Sequence, residues 1–166
     1  MMRNGSLRLD LTEADAADRV RGHTAAAVQA KLDHGLVQRL RDYANRSSDG
    51  DEAALSERIA ELEQESDIER VLEGNAAALA LTGTVLAALH HRRWLCVPGL
   101  VTGFLLQHAL QGWCPPVAVF RRLGIRTRKE IAAERYALKY LRGDFRSVSE
   151  DGGSDPGALL ASAVRR

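Results

Sequence analysis

The chain has 166 residues, with 23 Lys and Arg against 22 Asp and Glu, and its length is that of about one domain. The near-cancellation of charge argues against a polybasic nucleic-acid binder, and an aromatic content of 5% is low for a surface that stacks bases. Two cysteines are too few for a disulfide framework.

Charged residues divide the chain into three zones. Residues 1–73 carry 10 bases and 16 acids, residues 74–120 carry 2 bases and no acid, and residues 121–166 carry 11 bases and 6 acids. Because an ionised side chain at a bilayer centre costs about 2.5–3.5 kcal/mol, the middle zone has the composition of a membrane segment. The alternative interpretation is a buried helical pair in a globular core.

Residues 1–65 are predicted to form an acidic helical arm. Apolar residues recur there at helical spacing on two faces, which are separated by turn residues at 47–50: Val28, Leu32, Leu36 and Leu40, then Leu55, Ile59 and Leu62. These faces are expected to pack on each other or on a protein partner, and no catalytic role is predicted for them.

Residues 66–124 are predicted to form a transmembrane hairpin with spans at about 74–91 and 94–113. The two uncharged runs hold 18 and 27 residues, about 27 and 40 Å as helices, against a hydrocarbon core of about 30 Å. Trp94 and Trp113 are expected at the two interfaces, where tryptophan is enriched, and so delimit the second span. The short connection between the runs requires the two spans to be antiparallel.

The distribution of bases predicts that both termini are cytoplasmic. Two bases, Arg92 and Arg93, lie in the connection between the spans. Under the positive-inside rule the side that is richer in bases faces the cytoplasm. That side carries Arg58, Arg70, Arg121, Arg122, Arg126, Arg128, Lys129 and Arg135. A multi-pass protein of a bacterial inner membrane is expected.

Residues 125–146 are predicted to form a basic amphipathic helix, and 147–166 a flexible tail. Thr127 and Glu130 have the spacing of a capping box. Ile131, Leu138 and Leu141 form an apolar edge. Either this edge lies on the anionic cytoplasmic leaflet, or the helix is solvated and only fixes the topology.

Five short sequence motifs resemble those of one known family. They are DIER at 67–70, GWCP at 112–115, FRRLG at 120–124, RTRKEI at 126–131 and ERYALKYLRGDF at 134–145. Together with the hairpin they resemble an extended bacterial branch of the YgaP-like inner-membrane transmembrane family. The resemblance implies a two-helix membrane hairpin and a location, not an activity. Some members carry a rhodanese domain with a catalytic cysteine, which is not expected here because both cysteines fall in the hairpin zone.

Cys114 is the candidate reactive thiol. If a helix begins at Pro115, the thiol lies at a helix N-terminus near Arg121 and Arg122, where its pKa would be lowered. The alternative is a small packing residue at a chain break. Cys96 is about 27 Å away along one helix, too far to pair with Cys114, and is expected in the core.

Gln107, His108 and Gln111 form a candidate polar patch inside the membrane. Such groups usually face a neighbouring helix or a cavity, so an interhelical hydrogen bond is expected, and a transport site is the alternative. His90 and His91 are adjacent and point about 100° apart on a helix, so they do not share a metal ion readily. No metal ion or cofactor is expected.

Four small residues are candidates for helix packing: Gly83 and Ala87 on the first span, and Gly99 and Gly103 on the second. Small residues at this spacing allow close helix approach. The other helix of the hairpin is the simplest partner. A homodimer with four membrane helices is also expected.

The sequence therefore predicts an all-α protein, a two-span transmembrane hairpin with helical cytoplasmic arms. The expected function is non-enzymatic, a membrane-anchored interaction or assembly module. The alternatives are a small oligomeric transporter or channel, and a membrane thiol protein that uses Cys114. Expected partners are the lipid bilayer, a second copy of the chain and a protein bound by the N-terminal arm, but not nucleic acid.

Overall fold

A computed structural model describes residues 18–48 and 50–146, and within these ranges all regular structure is helical, as predicted, with no strand. Seven α-helices and one 3₁₀ turn (Arg92–Leu95) occur there. The helices are α1 (Arg19–Gly22), α2 (Ala26–Ser48), α3 (Glu52–Gln64), α4 (Ile68–Leu89), α5 (Cys96–Gln111), α6 (Pro115–Arg122) and α7 (Arg128–Arg142). The tail predicted at 147–166 lies outside the described residues.

The described chain divides into two compact units, each built from segments far apart in sequence. The hairpin unit comprises 18–29 and 68–127, and the arm unit comprises 30–67 and 128–146. The four consecutive segments predicted from the sequence do not include this pairing of distant segments, because periodicity identifies an apolar face but not the distant face that it packs against.

The hairpin unit is centred on the packing of α4 against α5. The 3₁₀ turn connects them and begins where the His91 side chain accepts a hydrogen bond from the backbone N–H of Arg93, at 3.0 Å. Gly83 lies where α5 closely approaches α4, since a Cβ placed there would be 2.7 Å from Cδ of Pro98 and 2.9 Å from Cβ of Val97. This contact fixes the two helices side by side.

One helical stretch, Glu52–Leu89, is long and apolar enough to cross a membrane, and its apolar part is α4. The second uncharged run does not form one long helix. It is divided into the 3₁₀ turn, a 16-residue α5 and the short α6, because Gly112 ends α5 and Pro115 begins α6. A second span is therefore not confirmed by length.

The arm unit has a core between α3 and α7. Ile59 and Leu62 of α3 pack with Ile131 and Leu138 of α7, and further contacts come from Leu40, Tyr43 and Leu141. The apolar edge predicted on the C-terminal helix is thus covered by α3. That packing removes the apolar face with which α7 would lie on a membrane leaflet.

Candidate functional site at residues 112–115

The GWCP motif at residues 112–115 forms the junction between α5 and α6. Gly112 has a positive φ of 71° and donates its N–H to the carbonyl of His108 at 2.7 Å, which ends α5 in the left-handed conformation that glycine favours. Cys114 is extended at the N-cap of α6, and Pro115 occupies the first helical position, where a missing N–H costs nothing. The glycine and the proline of the motif are therefore explained by backbone geometry.

Arg19 of α1 lies directly against this junction. Its guanidinium donates from Nη1 to the carbonyls of Ala109 (3.4 Å) and Leu110 (3.3 Å) at the end of α5. A Cβ on Gly112 would overlap the Cβ of Arg19. The C-terminal carbonyls of a helix lack partners within the helix, so a cation from a segment 90 residues away supplies the missing donors.

Cys114 lies in the core of the hairpin unit with 0% exposure. It packs in a cluster with Val20, Ile68, Leu72 and Val117. Burial raises the pKa of the Cys114 thiol, and a hydrogen bond from the backbone of Val117 only partly opposes this. The predicted helix N-terminus is present, but the pKa of the thiol shifts upward rather than in the predicted downward direction, because the thiol is buried. Cys114 therefore has the surroundings expected of a small, buried packing residue, which is the alternative interpretation of this cysteine.

The predicted polar patch lies beside the charged beginning of α4. Gln107 and Gln111 contact each other at 3.5 Å, a weak hydrogen bond. Nδ1 of His108 is buried without a hydrogen-bond partner among the described residues, and Glu69, Glu73 and Arg19 are close enough to act on it electrostatically. The antiparallel packing of α4 and α5 places the end of one helix beside the beginning of the other. In space, the polar patch therefore lies near the charged end of the helix pair rather than midway along it.

The four predicted packing residues differ in their surroundings. Gly83 is buried at the contact with Val97 and Pro98, and Ala87 is half-buried. A Cβ added at Gly99 or Gly103 would have nothing within 4 Å, so these two glycines face open space. Within the described chain, therefore, α4 uses its small residues for packing, whereas Gly99 and Gly103 of α5 do not contribute to packing.

Arg121 is the functional-site candidate that the sequence does not predict as such. Its side chain is buried at 2% exposure. Nε donates to the hydroxyl of Thr24 at 3.0 Å, Nη1 to the carbonyl of Ile125 at 3.0 Å, and Nη2 to the side-chain oxygen of Gln29 at 2.7 Å. The sequence gives no indication of these contacts, because Thr24 and Gln29 are more than 90 residues away.

Two cavities lie on opposite sides of α6. One is an apolar groove of about 360 Å³ between α4, α5 and α6, lined by residues that include Leu79, Leu100, Phe104 and Phe120. The other is a pocket of about 160 Å³ whose walls include Trp113, Arg121 and Arg122. Helix α6 therefore separates an apolar surface from a cationic one.

Within 18–48 and 50–146, no group of three or more His, Cys, Asp or Glu side chains is arranged to hold a metal ion. Comparisons with protein-family models, with known proteins and with solved structures give no match for this chain. Function is therefore inferred from the chain's own residues.

Proposed function

We propose that this chain is an integral inner-membrane protein in which α4 and α5 both cross the bilayer. The observation that carries the proposal is the outward exposure of apolar side chains on both helices, including Leu81, Leu89, Leu106 and Leu110 at 62–81%. Only 17% of the most apolar 18-residue stretch within Glu52–Leu89 is buried, whereas the core helix of a soluble protein is mostly buried. Large apolar side chains exposed in this number on two packed helices are typical of a membrane or interaction surface.

Both termini are proposed to lie in the cytoplasm, with the 3₁₀ turn on the opposite side. The test uses membranes washed with carbonate and a membrane-impermeant maleimide on intact cells. In a Cys96→Ser/Cys114→Ala background, one variant carries Arg92→Cys in the turn and another carries Gln38→Cys in the arm. Retention in the membrane with labelling of the turn variant alone is expected. Release by carbonate would overturn the membrane proposal, and labelling of the arm variant would overturn the orientation.

The proposed role is a non-enzymatic module that holds the arm unit at the membrane for interaction or assembly. Helix α2 carries a half-buried apolar stripe at Leu32 and Leu36, with Val37 more exposed. This stripe is the proposed surface for a protein partner. Glu134 is paired with Arg39 and Arg58, and this link between helices makes the arm unit a fixed platform for the stripe.

A homodimer through α5 is proposed on the open face around Gly99 and Gly103. Small residues four apart let two membrane helices approach closely. In the cysteine-free background, Gly103→Cys should form an intermolecular disulfide on mild oxidation in membranes. Leu81→Cys on the exposed surface of α4 is the matched control and should stay monomeric. Equal cross-linking of both, or of neither, would contradict this dimer.

A small oligomeric transporter remains the second candidate, because Nδ1 of His108 is buried without a partner in the described chain. Flux in proteoliposomes that is lost in His108→Ala would support it. The burial of Cys114 gives no support to a thiol function. Membership of the YgaP-like family is also proposed, and it is supported by the five sequence motifs alone.

A further inference from the structure

The pocket of about 160 Å³ beside α6 has the composition of a small anion site. Val28, Val117, Ala118 and Trp113 supply apolar walls, and Arg121, Arg122, His23 and Thr24 supply polar groups, with Ala25 completing the lining. No carboxylate lines it among the described residues. The volume exceeds the ~30 Å³ share of one water molecule but is below the ~300–1,000 Å³ of drug-sized sites. A small charged group fits it.

The cationic wall of this pocket is held in place before any ligand arrives. Arg121 is held in place by contacts that include hydrogen bonds to the oxygens of Thr24, Gln29 and Ile125, at 2.7–3.0 Å. Arg122 follows it on α6 and is exposed, so its guanidinium is accessible to a ligand. Guanidinium groups bind phosphate oxygens with a fixed geometry that ammonium groups lack. The exposed guanidinium of Arg122, on a wall that the buried Arg121 holds in place, favours a phosphate group.

We propose that this pocket binds the phosphate of an anionic phospholipid headgroup in the cytoplasmic leaflet. The inference rests on the proposed membrane hairpin with its cytoplasmic termini. Trp113 lies two residues after α5, and tryptophan is enriched at the headgroup level. The opposite side of α6, at Pro116 and Phe120, lines the apolar groove. A helix with one apolar and one cationic side lies at an interface, and the cytoplasmic leaflet is the anionic one.

The test measures quenching of Trp113 fluorescence by brominated lipids in nanodiscs. The full chain carries Trp94→Phe, so Trp113 is the only tryptophan. Brominated phosphatidylglycerol and brominated phosphatidylcholine are each titrated over the same range of mole fractions, and both are brominated near the headgroup end of the acyl chain. The anionic lipid should quench at a mole fraction about fivefold lower, the effect of one basic residue at an anionic surface.

Two charge-matched variants separate the pocket from general charge attraction. Arg122→Gln should remove the preference for phosphatidylglycerol. Arg41→Gln, which removes an exposed base from the cytoplasmic arm, should retain it. An equal loss in both variants would mean delocalised attraction and would overturn the pocket. Unchanged preference in Arg122→Gln would also overturn it.

A third measurement distinguishes the lipid from free phosphate. Millimolar inorganic phosphate should not relieve the quenching by phosphatidylglycerol. If phosphate does relieve it, the pocket takes a soluble anion and the lipid assignment is wrong. Failure of the chain to enter nanodiscs of either lipid would instead overturn the proposed membrane function, so the two failures are distinguishable.

Discussion

Glu134 of α7 accepts two hydrogen bonds from Arg58 of α3, from Nε and Nη2 to the same carboxylate oxygen at 3.1 Å each. Arg39 of α2 adds contacts to both carboxylate oxygens at 3.1–3.3 Å. The side chain of Glu134 is 0% exposed, and those of Arg58 and Arg39 are 19% and 36% exposed. One buried carboxylate therefore links three helices of the arm unit.

Glu134→Gln should destabilise the arm unit. The amide keeps the volume but removes the charge that both arginines face, and a hydrogen bond to a charged group contributes about 1.5–3 kcal/mol. Amide hydrogen exchange on the full chain in micelles should show faster exchange in α3 and α7. Glu63→Gln is the matched control, because Glu63 is half-exposed and 4.0 Å from Arg135, and it should change little. Equal changes in exchange rate in the two variants would mean that the burial of Glu134 does not increase its contribution to stability.

Helix ends in this chain are largely predictable from the sequence, because their causes are local. Gly50, Gly124 and Gly143 all have positive φ at the ends of helices, and Gly50 falls in the turn at 47–50 that the sequence predicts. Pro115 begins α6 as expected, since proline suits a first helical position. Local backbone chemistry thus determines where these helices begin and end. The residues responsible lie next to the helix ends in the sequence, so the sequence alone can identify them.

Partners across the chain are not predictable in the same way. Counting bases near the membrane treats Arg58 and Arg121 as equivalent charges on the cytoplasmic side. In the structure each is engaged in internal contacts, Arg58 with Glu134 and Arg121 with Thr24 and Gln29. Nothing local to either arginine identifies a partner 76 or more residues away. The candidate pocket depends on such contacts and so could not be predicted.

Gly83→Ala should weaken the packing of α4 on α5. The added Cβ meets Pro98 and Val97 at 2.7–2.9 Å, so the helices must separate, and overpacking of this kind costs about 1–3 kcal/mol. Gly74→Ala, on the same helix with nothing within 4 Å, should instead stabilise by about 0.5–1 kcal/mol. Reversible unfolding of the full chain in mixed micelles measures both. Similar values for the two variants would show that α4 and α5 do not approach at Gly83.

Cys114 should react with thiol reagents much more slowly than Cys96, because burial blocks the reagent and a raised pKa lowers the thiolate fraction. Cys114 is buried and its pKa is raised, whereas Cys96 is exposed. Single-cysteine variants, Cys96→Ser and Cys114→Ser, report each thiol in micelles at neutral pH. Denaturation should abolish the difference. Fast labelling of Cys114 in the folded protein would revive the activated-thiolate hypothesis.

The raised pKa of Cys114 also predicts the direction of a pH effect on stability. A buried thiol is favoured in its neutral form, and the unfolded chain ionises first as the pH rises past the ordinary value of about 8.5. The free energy of unfolding should therefore fall between that pH and the raised pKa of the folded state. Cys114→Ala should lose this dependence while Cys96→Ala keeps it. An unchanged slope in Cys114→Ala would assign the effect to another group.

Gly112→Ala should be more destabilising than Gly124→Ala, although both glycines have positive φ, 71° and 89°. Alanine in the left-handed region costs about 1–2 kcal/mol at either position. At Gly124 nothing lies within 4 Å of the new Cβ, whereas at Gly112 the Cβ would overlap that of Arg19. The excess cost at Gly112 therefore measures the close packing of α1 on the junction, in the same unfolding experiment. If the excess is steric, Arg19→Gly should partly rescue Gly112→Ala, because it removes the overlapping atom. A strictly additive double variant would show that Arg19 does not pack on Gly112.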